Sequence, residues 1–197
     1  MSCSGGETDD MWAPQGVDPG GPNPAQLSAV DGAAKVVTLQ IGGNDIGFSD
    51  IVKNCALQNP FGSGCTPDFV PDGRDELSEA IAATAPEIAA VVAEIKRKAP
   101  LAKVFLIGYP TVIPQTGNGC YPLVPVLPKD IPYLRAKVVE LNAMIAGRAA
   151  AAGVEYIESD FFQCRQTLKV PGESYLYAAN IKEYEKGVAE LQDQVKK

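Results

Sequence analysis

The sequence predicts an α/β fold, a parallel β-sheet with helices packed on it. Three observations carry that expectation. Short apolar runs at 35–41, 103–108 and 154–157 read as buried strands. The stretches after the first two runs carry apolar residues at helical spacing. Strand and helix alternate along the chain, and a helical connection between strands makes parallel neighbours.

Residues 1–34 read as mostly loop, punctuated by Gly16, Pro19, Gly20, Gly21, Pro22 and Pro24. Lys35-Val36-Val37-Thr38-Leu39-Gln40 is the first strand, and 49–74 is a loop-rich excursion. Asp75 to Lys98 is helical, with Ile88, Val91, Val92 and Ile95 at i, i+3, i+4 and i+7. Pro86 lies inside it, which predicts a kink or two short helices. Lys103-Val104-Phe105-Leu106-Ile107-Gly108 is the second strand. Tyr109 to Pro132 is a proline-rich loop, longer than a plain connection requires. Leu134, Val138, Leu141 and Ile145 mark a second amphipathic helix, ended by Gly153. Val154-Glu155-Tyr156-Ile157 is the third strand, and Tyr184, Val188, Leu191 and Val195 form the face of a C-terminal helix. Three strands are few for such a sheet, so one edge strand is expected to need a neighbour that this chain does not supply.

By length, residues 1–197 make a single domain with room for a substantial core. Apolar residues at 46% and charged residues at 21% are globular values. A net charge of −7 argues against nucleic acid or an anionic membrane surface as partner. No apolar run is long enough to span a bilayer, so no transmembrane segment is expected. The start, Met1-Ser2-Cys3-Ser4-Gly5-Gly6, lacks the basic flank and apolar stretch of a signal peptide. Asp9, Asp10, Asp68, Asp72 and Asp75 are scattered without metal-ligand spacing, so neither metal nor cofactor is expected.

The five cysteines, Cys3, Cys55, Cys65, Cys120 and Cys164, point to an oxidising compartment. Cys55 and Cys65 flank the short loop Asn59-Pro60-Phe61-Gly62-Ser63-Gly64, which a disulfide would pin. Cys120 and Cys164 both follow predicted strand ends, where they could meet on one edge of the sheet. Cys3 is left over and suggests an absent partner. The plain alternative is five reduced, inert thiols.

The segment with most chemistry is Ile41-Gly42-Gly43-Asn44-Asp45-Ile46-Gly47-Phe48, directly after the first strand. Gly42 and Gly43 allow a sharp turn and a close backbone approach to a ligand. Asn44 and Asp45 then stand at the strand end, where parallel sheets carry their sites. Against this, the chain contains no histidine, the usual general base of a hydrolase.

Gly42-Gly43-Asn44-Asp45 followed by Phe48 resembles the third signature block of the SGNH (GDSL) hydrolases. Ser2-Cys3-Ser4-Gly5 resembles the segment that carries the second block's glycine in their secreted, actinobacterial-type esterases and lipases. Gly108-Tyr109-Pro110 resembles the stretch after their fourth strand, and the Cys55/Cys65 and Cys120/Cys164 spacings resemble that branch too. The resemblance implies a three-layer α/β/α sandwich with a parallel, flavodoxin-like sheet, an extracellular location, and hydrolysis of carboxylic esters or lipids by a serine nucleophile with a histidine base. It also implies oxyanion donors at Gly5 and Asn44, each worth about 3 kcal/mol of barrier. Asp45 is expected to brace the turn around Asn44.

Two departures stand out. The Gly-Asp-Ser block is expected upstream of Cys3, where only Met1 and Ser2 stand, so the first strand and the serine are expected to be missing. No Gly-x-Ser-x-Gly elbow replaces it, and Ser49, Ser159 and Ser174 read as ordinary loop serines. The last block, Asp-x-x-His-Pro-Asn, is matched by Tyr175-Leu176-Tyr177-Ala178-Ala179-Asn180, with Ala178 at the histidine position and Tyr175 at the aspartate position. Asp160-Phe161-Phe162-Gln163 offers no base either, because glutamine has no useful pKa. The sequence therefore predicts a chain without catalytic competence by itself. The alternatives are a non-catalytic acyl- or ester-binding protein and a gene remnant. Self-association through an exposed sheet edge is a further expectation. Phe48, Tyr109, Tyr121 and Trp12 are candidate walls of an acyl pocket, or equally ordinary packing.

Overall fold

The structure, a computed structural model, describes residues 4–159 apart from 18, 19, 57, 111, 112, 114–116, 118, 120, 122 and 123. The expectations for Cys3, Cys120, Cys164, Tyr175, Ala178, Asn180 and the C-terminal helix lie outside the described residues.

Three strands form the sheet in the order β1 (Val36–Leu39), β2 (Lys103–Ile107), β3 (Glu155–Ile157). Both pairings are parallel, with Val37 opposite Val104, and Leu106 between Leu39 and Tyr156. Val104, Phe105 and Leu106 are consecutively buried. Successive side chains point to opposite faces, so both faces of the central strand are covered, as in parallel sheets generally. Among the described residues, β1 is hydrogen-bonded along one side only.

The two long helices are the crossovers. The first, α3 (Glu76–Lys98), joins β1 to β2, and α4 (Ile131–Ala152) joins β2 to β3. They pack on each other and on one sheet face. Ile88, Val91, Val92 and Ile95 of α3 meet Leu141, Ile145 and Ala149 of α4 over Leu39, Val104 and Leu106. Asp75 caps α3 by accepting the Ser78 N–H at 3.0 Å, and Lys96, Arg97 and Lys98 complement its C-terminal dipole. Gly153 ends α4 in the left-handed region at φ +65°, the conformation that makes glycine the usual terminator there.

One expectation needs correction and another an addition. Pro86 does not divide α3, which runs unbroken for 23 residues. The carbonyl that loses its donor belongs to Ala82; both residues lie on the exposed face of the helix, where solvent can stand in for the missing donor. The 49–74 excursion is loop-rich, as expected, but it also carries helices. It contains α1 (Phe48–Cys55) and the short α2 (Thr66–Phe69). Ile51 and Cys55, four apart, bury one face of α1 in a second cluster with Cys65, Leu77 and Leu134. A disulfide joins Cys55 and Cys65, with Cα atoms 5.0 Å apart.

Candidate functional site

The turn after β1 is made by its glycines. Gly42 lies at φ +108°, where a side chain is strained. Gly43 is restricted by space instead. A Cβ there would lie 2.8 Å from Tyr109 Cζ and 2.9 Å from its hydroxyl oxygen. That closeness lets the Gly43 N–H donate to Tyr109 Oη at 2.9 Å. The turn closes through Gly47 N–H to Asn44 O at 2.8 Å and Phe48 N–H to Gly43 O at 3.0 Å. Asn44 and Asp45 are thereby held at the C-terminal edge of the sheet, the usual ligand edge.

From there each side chain reaches the 4–8 segment. Asn44 Nδ2 donates to Gly6 O at 2.9 Å, next to the exposed turn residue Gly5 at φ +72°. Gln15 Nε2 holds the near side of that turn by donating to Ser4 O at 3.0 Å. Asp45 Oδ1 accepts the Thr8 N–H at 2.8 Å and the Thr8 hydroxyl at 2.5 Å. The same hydroxyl faces Glu87 Oε2 at 2.9 Å, and Thr8 is buried. Asp45 thus ties down a segment 37 residues away.

Tyr109 is fixed from α4. Its N–H donates to Asn142 Oδ1 at 2.8 Å, and Asn142 Nδ2 donates to its carbonyl at 2.9 Å. Gln40 Nε2 and Ser159 Oγ both donate to Gly108 O, at 2.8 and 2.5 Å, which binds the ends of β1, β2 and β3 together. Burial pushes the Tyr109 phenol up; the Gly43 N–H works against this and the charge of Asp45 with it. At neutral pH Tyr109 is a protonated hydrogen-bonding group, not a base.

Of the pocket candidates, Phe48 and Tyr109 both bond to Gly43, one to its carbonyl and one to its N–H. Phe48, Tyr121 and Trp12 are all exposed, and among the described residues no hydrogen bond joins Tyr121 to Phe48 or Tyr109. Ser49 is exposed, Ser159 is tied to Gly108, and Ser174 is outside the described residues.

One serine has the spacing of a nucleophile beside a base. Ser78 Oγ accepts a hydrogen bond from Lys137 Nζ at 2.5 Å. Its own proton is spent on Glu140 Oε2 at 2.9 Å. Lys137 also contacts Asp75 Oδ2 at 2.7 Å and Glu140 Oε2 at 2.6 Å. Burial lowers its pKa, but these two carboxylates outweigh burial and raise it, so the ammonium has no free pair with which to take a proton. The cluster is an interhelical bridge, not a dyad.

Sequence reasoning missed Thr8 and Asn142. An asparagine inside an apolar helical pattern is itself a signal, because it competes with the helix backbone and is tolerated for a specific partner. Thr8 carries no such mark; its partners lie 37 and 79 residues away.

The chain as a whole is similar to known proteins. The profile of the GDSL-like lipase/acylhydrolase family matches residues 1–177. Lipase 2 of Streptomyces coelicolor is 31% identical over 166 residues, covering 80% of this chain and 53% of that protein. The crystal structure of an extracellular lipase from Streptomyces rimosus superposes with a TM-score of 0.60 at 28% identity, covering 79% of this chain and 58% of that one. Phospholipase A1 from Streptomyces albidoflavus gives a TM-score of 0.61 at 25% identity, covering 78% and 57%. The chain spans about half the length of the relatives it matches. With nine-tenths of its length inside the family profile and the same α/β fold, the chain belongs to the GDSL-like lipase/acylhydrolase (SGNH) family.

Proposed function

We propose that this chain carries the oxyanion-binding part of a carboxylic-ester hydrolase site and, by itself, does not turn esters over. The observation that carries the reading is the 2.9 Å hydrogen bond from Asn44 Nδ2 to Gly6 O at the ligand edge of the sheet. It puts a side-chain amide beside the Gly5 turn. An ester carbonyl oxygen gains negative charge as the carbon is attacked, and fixed N–H donors stabilise that charge. An Asn amide has two N–H groups. One is used on Gly6, and the other has no partner among the described residues. Gly42, Gly43 and Asp45 support the geometry, and Phe48 and Tyr109 flank it as walls for the acyl group.

Turnover needs a nucleophile and a base. The given sequence holds no histidine and no Gly-Asp-Ser, and the resemblance would put Ala178 at the histidine position. Losing either member of such a relay removes nearly all of the rate it supplies. The same absences favour a second reading, a module that holds an acyl or ester group without cleaving it. The disulfide and the secreted type of relative support an extracellular place of action.

The test is hydrolysis of a short-chain aryl ester by the purified chain. Beside it runs a version carrying Ala178→His and a Gly-Asp-Ser strand fused ahead of Ser2. Activity only in the restored protein is the expected result. Saturable hydrolysis by the chain as it stands would overturn the inactivity. Silence in both, with folded protein that binds an aryl ester, would favour the binding module.

A further inference from the structure

We propose that Tyr109 is a positioning residue for Asn44: its hydroxyl, held from α4 by Asn142, sets where the asparagine amide stands. The functional consequence rests on the oxyanion reading above and deepens it. An amide stabilises charge on a ligand oxygen best when it is fixed before the ligand arrives. Asn44 sits on a turn closed by its own backbone, with Ile46 N–H to Gly42 O at 3.3 Å beside the Gly47 and Phe48 bonds. Those bonds shape the turn but leave its tilt on the sheet undetermined. Two outside ties set that tilt, one on each side of Asn44. After it, Asp45 holds Thr8 in the segment ahead of β1. Before it, the Gly43 N–H donates to Tyr109 Oη at 2.9 Å. Among the described residues, that is the one hydrogen bond joining the turn directly to the chain that leaves β2.

Tyr109 is itself held at every part. The residue before it, Gly108, donates its N–H to Ile157 O at 2.9 Å and accepts from Gln40 and Ser159, so the three strand ends meet there. Asn142 then takes both backbone groups of Tyr109, accepting its N–H at 2.8 Å and donating to its carbonyl at 2.9 Å. Pro110 follows with a fixed φ. The ring packs against the main core cluster, and its edge lies where a Gly43 side chain would stand, 2.8 Å from the place of a Cβ. The hydroxyl is thus delivered to the Gly43 N–H by a ring and a backbone that cannot easily shift. Gly43 is buried, which leaves its N–H without a ready replacement if the hydroxyl is removed. An unpaired buried N–H is costly, so the peptide turns toward another acceptor and carries Asn44 with it.

The experiment uses the full chain, isotope-labelled for NMR, with para-nitrophenyl butyrate as ligand and folding checked by circular dichroism. Tyr109→Phe keeps the ring and removes only the hydroxyl. In it the Gly43 amide should exchange with solvent about tenfold faster, while the amides of β2 keep their rates. The Asn44 side-chain amide resonances should move, and Asn142→Leu should move them too. The Kd for the ester should rise about fivefold in Tyr109→Phe and about tenfold in Asn44→Ala. The double variant should bind no more weakly than Asn44→Ala alone, because the hydroxyl acts through Asn44. Unmoved Asn44 resonances in folded Tyr109→Phe overturn the proposal. So does a Tyr109→Phe loss that persists in the Asn44→Ala background, since the hydroxyl would then meet the ligand itself. A wild-type chain that binds no ester would sink the oxyanion reading alone, and the Asn44 resonances would still decide the positioning.

Discussion

Thr8 is the residue on which the site geometry turns. Its N–H and hydroxyl both bond to Asp45, and its hydroxyl also meets Glu87 of α3. The Gly5 turn begins three residues earlier, so Thr8 fixes where that turn stands relative to Asn44. Thr8→Val keeps the shape but removes the hydroxyl, leaving Asp45 Oδ1 with the Thr8 N–H alone and Glu87 Oε2 without this partner. A hydrogen bond to a charged group is worth about 1.5–3 kcal/mol, so Thr8→Val should lose about 2 kcal/mol in urea unfolding, and Thr8→Ser should recover most of it. An unchanged midpoint in the valine variant would mean that the contact carries no weight. Gly42, Gly43, Asn44 and Asp45 were legible in the sequence because what a glycine pair permits is local. Thr8 was not, since nothing near it in sequence announces a partner brought in by the fold, and Asn142, though marked by its place in an apolar helical pattern, gives no hint of which backbone it holds.

At the scale of elements, the periodicity of the two long helices was fully legible, and so was the left-handed stop at Gly153. The first helix was not: α1 has only eight residues, too short for a pattern to emerge. Nor does sequence show how α3 and α4 are joined. Lys137 of α4 reaches back to Asp75, the cap of α3, with Glu140, Ser78 and the Tyr133 hydroxyl around it. Burial alone would raise the Asp75 carboxyl, but hydrogen bonds from Lys137, Ser78 N–H and Tyr133 outweigh it and hold the pKa below 3.8. Lys137 is held above 10.5 by the opposite balance. A lowered carboxylate pKa stabilises the fold above its unfolded value and loses that effect as pH falls through the folded one. A raised ammonium pKa stabilises below its unfolded value and loses the effect as pH rises through the folded one. The bridge therefore contributes fully between about pH 4 and pH 10. Lys137→Met leaves Asp75 and Glu140 facing each other without a cation. The pair is only partly buried, so the cost at pH 7 should lie between the surface and buried limits, about 2 kcal/mol. The difference from wild type should shrink below pH 4. A gap that stays constant from pH 7 to pH 3 in chemical unfolding would rule out the ionic account.

For the molecule as a whole, strand and helix alternation was enough to anticipate a parallel sheet, because parallel neighbours need long crossovers and this chain supplies two. What alternation does not convey is the part outside those crossovers, where the start of α2 is held on Asp130 by the Cys65 and Thr66 N–H groups. That carboxylate is fully buried and sits so close to Gly64, at φ +83°, that an added Cβ there would be 2.5 Å from it. Cys55 and Cys65 are themselves in the second core cluster, ten residues apart in sequence. Closing a loop of that length removes disorder from the unfolded chain worth about 3 kcal/mol in the chain-entropy account. A domain's whole stability is about 5–15 kcal/mol, so this one bond is a large share of it. The double variant Cys55→Ala/Cys65→Ala should unfold with about 3 kcal/mol less stability, and somewhat more if the cluster around Ile51, Leu77 and Leu134 fails to close over the lost sulfurs. Wild-type protein in excess dithiothreitol should fall by a similar amount, while the double variant should not respond to the reductant. A double variant within 1 kcal/mol of wild type would show that Asp130, which accepts from the Cys65 and Thr66 N–H groups and the Thr66 hydroxyl, holds the loop without the sulfur bridge, and that the covalent closure is redundant in the folded state.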